Sequence, residues 1–100
     1  VNNVDENIRS TGYWLLARLS IQKKLNPLKS ESFSYIWSDV FSENTFLRNA
    51  AILALKHLGR QSEDEARSIL DRIAVYQTDE DPIKKETYDN LHFEFNYYFE

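Results

Sequence analysis

Apolar and polar positions recur along this chain with a helical period, and a longer repeat is superposed on it. Ile8, Arg9, Gly12, Tyr13, Leu16 and Leu19 are echoed by Leu47, Arg48, Ala51, Ile52, Leu55 and Leu58, then by Ile83, Lys84, Thr87, Tyr88 and Leu91. The offsets 0, +1, +4, +5, +8 and +11 set an apolar residue, a base, a small residue and further apolar residues at matching places on three helices of one kind, A. Between them lie two helices of a second kind, B: Phe33, Ile36, Trp37, Val40 and Phe41, then, 33 residues on, Ala66, Ile69, Leu70, Ile73 and Ala74. Positions i, i+3, i+4, i+7 and i+8 make one stripe, so each B helix buries a single face. The order A, B, A, B, A predicts helices near 5–24, 31–41, 45–58, 63–76 and 82–94, an all-α fold in one domain over 1–100.

Residues that start and stop helices fall at the same boundaries. Ser62 and Glu65 have the spacing of a capping box, Asn44 can cap the middle A helix, and Ser30 or Ser32 the first B helix. Asp81 before Pro82 reads as a cap followed by proline at the first helical position. Gly59 sits where the middle A helix should stop, and Asn26 and Pro27 end the first. The last ten residues, LHFEFNYYFE, read two ways. Leu91, Phe93, Phe95, Tyr97 and Phe99 alternate with polar or edge residues as in a strand, whereas Leu91, Phe95 and Tyr98 share one stripe of a helix. A lone strand has no partner in a helical chain, so a helix is preferred to about residue 94, with room to continue beyond it; an extended tail would suit pairing with another chain's sheet edge.

The A pattern resembles the first helix of HEAT repeats, which runs apolar, Arg, two variable residues, Ala, then apolar residues and Leu, often ending Leu-Gly. LRNAAILALKHLG, Leu47 to Gly59, matches best; Asp81, Pro82, Ile83, Lys84 and Leu91 open the next unit with Lys for Arg and Thr87 for Ala, and Ile8 to Leu19 is looser, with Gly12 at the small position. The resemblance covers about two and a half units and implies a right-handed α-α superhelix of HEAT-like hairpins, about five helices in all. It implies close approach of A helices at Gly12 and Ala51, a charge ladder from Arg9, Arg48 and Lys84 to Asp5, Glu43 and Asp81, and a concave face lined by the B helices, with Tyr35, Asp39 and Asp71 exposed on it. It specifies architecture and carries no chemistry.

Charge sharpens the choice of partner. The net charge is −4, but residues 1–58 hold seven bases against five acids and residues 59–100 five against eleven, so the second part stands at −6. Such a surface repels phosphate backbones and attracts basic proteins, which argues against direct nucleic-acid binding. The absence of cysteine removes disulfides, thiolate metal sites and a cysteine nucleophile. No apolar run reaches the roughly 18 residues of a membrane span, and VNNVDEN lacks the build of a signal peptide, so a soluble, cytoplasmic protein is expected.

Candidates for catalysis are few. His57 and His92 fit no metal-ligand spacing, no serine stands in a GxSxG elbow, and two glycines cannot build a phosphate-cradling loop. The triplets Glu63, Asp64, Glu65 and Asp79, Glu80, Asp81 lie at helix N-termini, where carboxylates meet free N–H groups; capping is the simpler reading, and QTDEDPIKKE lacks the glycine and spacing of a calcium loop. Lys23, Lys24, Lys29, Lys56 and Arg60 stand near the C-termini of A helices, as the helix dipole favours. No catalytic, cofactor or metal site is expected. What remains is a surface: tyrosines beside carboxylates, namely Tyr35, Asp39 and Asp71 on the B helices, Asp79 and Glu80 in the acidic turn, and Tyr97 and Tyr98 in the tail. These point to a non-enzymatic protein-binding module, with a bacterial immunity protein or antitoxin that neutralises a basic nuclease toxin as the leading expectation. A scaffold or adaptor module, or a fragment of a longer solenoid, is the alternative, since two and a half units leave an open end and the chain begins at Val1.

Overall fold

A computed structural model of the chain describes residue 6, residues 8–15 and residues 35–99, and every regular element among them is helical. Residues 8–15 form α1, followed by α2 (Ile36–Asp39), α3 (Thr45–Gly59), α4 (Glu63–Ile73), a single 3₁₀ turn at Ala74–Tyr76, and α5 (Pro82–Phe99). The expected stretch of α1 beyond residue 15, its stop at Asn26 and Pro27, the caps Ser30 and Ser32, and Asp5 and Phe33 lie outside the described residues.

Capping chemistry sets three of the boundaries. The side-chain oxygen of Asn44 accepts from the backbone N–H groups of Phe46 (3.1 Å) and Leu47 (3.3 Å), and Ser62 Oγ accepts from that of Glu65 (3.1 Å). Asp81 accepts from the N–H of Ile83 at 2.9 Å, with Pro82 in the first turn where its missing N–H is harmless. Helix α3 stops at Gly59, as expected. The chain stays right-handed at Arg60 (φ −73°, ψ −11°), so no left-handed stop is made there. The role of Gly59 is packing: an added Cβ would stand 2.2 Å from the Phe95 ring.

Helix α3 is the centre of the fold, in contact with α2, α4 and α5. Leu47, Ala50, Ala51, Ile52, Ala54, Leu55, Leu58 and Gly59 are all buried, a stripe far wider than one neighbour requires. The three alanines have no exposed surface, and their small side chains allow neighbours to approach on several sides. α5 runs parallel to α3: near their starts Arg48 and Ile52 share a shallow groove with Ile83 and Thr87, and near their ends Phe95 lies over Gly59. α4 returns between them and contributes Ala66, Ile69 and Ile73 to the same core.

The interior also takes the free end of α2. Val40 and Ser42 offer carbonyls that no helical N–H reaches; the Thr87 hydroxyl donates to the first (2.9 Å) and the Arg48 guanidinium to the second (2.6 Å). Thr87, where the repeat pattern has Ala, is therefore the buried donor for an otherwise orphaned carbonyl. The tail is a helix through Phe99, beyond residue 94, and its strand-like alternation does not decide its conformation. Leu91 and Phe95 are buried and Phe99 packs on the core, so positions i, i+4 and i+8 face inward while Phe93 and Tyr97 face solvent. Two other expectations fail near the chain start. Ile8 is 65% exposed, and among the described residues nothing lies within 4 Å of a Cβ placed on Gly12, so this glycine makes no close approach there.

Two predictions follow from the α3–α5 contact. Gly59→Ala gains about 1 kcal/mol of helix propensity, but the clash with a buried ring outweighs it, for a net loss of about 1–3 kcal/mol in urea unfolding that Phe95→Leu partly restores. His57, between the core and Arg60, has its pKa lowered from 6.5, first by burial, then by the Arg60 charge, against a pull from Glu94. The unfolded chain thus takes up this proton first as pH falls below about 6.5, and folded stability drops. The urea midpoint should fall between pH 7.5 and 5.5, and fall less in His57→Gln.

Candidate interaction surface

Asp39 is not on an exposed face. It is 5% exposed, held between α1 and α2: Arg9 donates to it through Nε (2.8 Å) and a terminal nitrogen (3.2 Å), and the Tyr13 hydroxyl through a 2.5 Å bond. As the last residue of α2 a carboxylate is poorly placed for the helix dipole. The guanidinium fork and the phenol offset that, and they satisfy both oxygens of a group that would be costly to bury alone. Burial pushes the Tyr13 phenol well above its usual range, with the bond to Asp39 adding to it. The helical period alone put Asp39 beside exposed Tyr35; α1, from 26 to 30 residues away, is what covers it.

The three first-turn bases do not join a ladder of the kind expected. Arg9 meets Asp39, Arg48 meets the Ser42 carbonyl, and Lys84 lies over the Tyr76 ring at 5.3 Å. Each reaches to the C-terminal end of a B helix or the turn just after it, the end that favours positive charge. Glu43 has no ion pair among the described residues, and Asp81 is occupied as a cap.

Tyr35 is 60% exposed, with the Arg9 guanidinium 5.4 Å from its ring, and Asp71 is exposed on α4. Beside Asp71, Arg72 lies 4.4 Å over the half-buried Trp37 ring, and just beyond the two helices Phe41 meets Tyr76 edge-on at 4.6 Å. In the acidic turn, Asp79 accepts from the N–H of Asp81 (2.8 Å) and Glu80 faces solvent. In α5, Tyr97 is 74% exposed and stacks with Phe93 at 6.3 Å, while Tyr98 is about half exposed and receives the Arg60 guanidinium on its ring. The candidates therefore fall on separate faces: Tyr35 and Asp71 on the B helices, Tyr97 and Phe93 on the outer side of α5.

Two features escaped the sequence reading. Phe46 is the most exposed large apolar residue described, although it directly precedes a buried leucine. A groove of about 240 Å³ lies between α4 and the end of α5, floored by Ala66, Leu70, Phe95 and Phe99. Ala66, Leu70 and Phe95 are on predicted helical stripes, so their apolar character signalled core and not an open cleft, while Phe99 entered only the strand-like alternation of the tail.

Among the described residues no three His, Asp or Glu side chains gather as a metal site, and no helix is long and apolar enough to cross a membrane. His92 stacks on Tyr88 at 5.5 Å on the exposed side of α5. Comparison with known proteins finds no matching family model, no similar curated protein and no similar solved structure.

The polar clasp gives a test. Asp39→Asn should lower stability by about 1–3 kcal/mol and Tyr13→Phe by about 1 kcal/mol in urea unfolding, with a double variant losing less than the sum. The raised Tyr13 pKa contributes stability that is complete below the free phenol's value of about 10 and is lost as pH rises through and above it. In an ultraviolet titration one of the six tyrosines should ionise only as the protein unfolds, and Tyr13→Phe should remove that late step.

Proposed function

We propose that this chain is a short HEAT-like helical-repeat module that binds a basic protein without catalysing a reaction. Its most specific form is an immunity-type or antitoxin-type inhibitor that covers a cationic bacterial toxin, such as a nuclease, in the cytoplasm.

The observation that carries this reading is the state of the charges after residue 58. All five bases there are engaged: Arg60 with Glu94, Arg67 with Asp64, Lys85 with Asp89, Arg72 on Trp37 and Lys84 on Tyr76. Glu63, Glu65, Asp71, Glu80 and Glu86 have no ion pair among the described residues. The surplus is thus available for a partner and is not consumed within the fold. Exposed aromatics, Tyr35 on the B side and Phe93 and Tyr97 on α5, supply contact area that a rigid ring loses little entropy to bury. Charges of this sort accelerate encounter with a basic surface and aromatic anchors slow release. The parallel packing of α3 and α5 supports the repeat architecture, since like helices of successive units would run that way.

Titration of the protein against a panel of basic nucleases and other basic proteins tests the reading. A partner should bind at low salt with an association rate that falls steeply as salt is raised, and Asp71→Lys with Glu80→Lys should slow association about tenfold. Tyr35→Ala and Tyr97→Ala should act on the dissociation rate. Absence of binding to every basic protein at low salt would overturn it.

A further inference from the structure

We propose that copies of this chain stack head to tail, the open face of α1 in one copy receiving the outer side of α5 in the next. Equivalent positions of the repeat lie 39 residues apart between α1 and α3 and 36 apart between α3 and α5. Ile8, Thr11, Gly12 and Leu15 of α1 thus correspond to Leu47, Ala50, Ala51 and Ala54 of α3. In α3 all four are buried, the alanines with no exposed surface. In α1 they line one open depression: Ile8 is 65% and Leu15 56% exposed, Thr11 faces solvent, and a Cβ on Gly12 would meet nothing within 4 Å. The first helix therefore carries a packing face of the inner helix's kind, with its smallest residue in the middle, and among the described residues nothing covers it.

The other end of the fold is unfinished in the converse way. Tyr13 in α1 and Ile52 in α3, at the same repeat position, are 2% and 7% exposed, whereas Tyr88, their equivalent in α5, is only partly buried. His92 stacks on Tyr88 at 5.5 Å and Lys85 flanks it, both in solvent. Where α3 meets α5, Arg48, Asn49 and Ile52 share a depression with Ile83, Glu86 and Thr87. Unlike positions meet there: +1, +2 and +5 of one helix against 0, +3 and +4 of the next. By the same rule the face of Ile8, Thr11 and Gly12 is met by the positions that Lys84, Lys85 and Tyr88 hold, and a second copy of the chain supplies them. Charge selects the same orientation. A head-to-tail contact sets the part of the chain with seven bases and five acids, at +2, against the part at −6, whereas head-to-head or tail-to-tail contacts set like against like. Two different faces make a heterologous contact, which leaves one free face at each end, so assembly continues past the dimer.

Sedimentation equilibrium of the full chain, with no other protein present, reads the assembly from about 10 µM to about 1 mM. The weight-average mass should climb with concentration past twice that of the monomer. Ile8→Glu with Leu15→Glu blocks the α1 face, and Lys85→Glu with His92→Glu blocks the α5 side. All four residues are exposed, so the thermal unfolding curve of each variant at low concentration should stay in place. Each variant alone should remain a monomer. Mixed in equal amounts, the two variants retain one intact face apiece, of opposite kinds, and should form a heterodimer of twice the monomer mass and nothing larger. An unaltered chain that stays monomeric at the highest concentration would overturn the head-to-tail stack. Association of either variant by itself would also overturn it, since that places the contact between like faces or on another surface such as Phe93 and Tyr97. So would a mixture of the two variants that does not associate.

Discussion

A helix surrounded on several sides must carry side chains that let its neighbours come close, and in this protein that helix is α3. Ala50, Ala51 and Ala54 have no exposed surface, and Gly59 lies directly beneath the Phe95 ring. Larger residues there would push α4 or α5 outward and open the core that Leu55, Ile69, Leu91 and Phe95 fill. The remaining elements take their places from this one. α5 runs parallel to α3 because its inward row of Thr87, Leu91 and Phe95 lies along that surface, and α4 returns between the two under the cap at Ser62.

The polar interior serves the same end. Helix α2 has only four residues, too few to satisfy its own carbonyls, and its end is completed from elsewhere: by Thr87 at Val40, by Arg48 at Ser42, and by the clasp of Arg9 and Tyr13 on Asp39. These bonds join the first, third and last described helices to one short element. They explain why bases stand near the starts of α1 and α3, where the dipole of their own helix disfavours them. Arg9 and Arg48 each meet a group at the end of α2 or just after it, and Lys84 lies over the Tyr76 ring just after α4.

After residue 58, Arg60, Arg72 and Lys84 lie against rings, Arg67 and Lys85 pair with acids at the surface, and most of the remaining acids face solvent. That division gives the surface its character: exposed carboxylates on α4 and in the turn before α5, aromatic side chains on two separate faces, and an apolar cleft at the side of α4 that α3 does not cover.

The helical period, the caps at Asn44, Ser62 and Asp81, and the acidic bias after residue 58 were determined by the sequence itself, because each depends on residues within one or two turns of one another. The helical class follows from the same local pattern. What the tertiary structure decided was which off-stripe residues stay exposed and what the special residues contact. Asp39 and Tyr35 are one turn apart, and their periodicity does not distinguish them; a tyrosine and an arginine 26 and 30 residues earlier bury one and leave the other in solvent. Likewise Gly59 reads locally as a helix stop, yet its neighbour across space, 36 residues on, makes it a packing contact. The groove was hidden for the converse reason: apolar residues that face a cleft carry the same local signature as apolar residues that face a core, and only the positions of α4 and α5 leave these open.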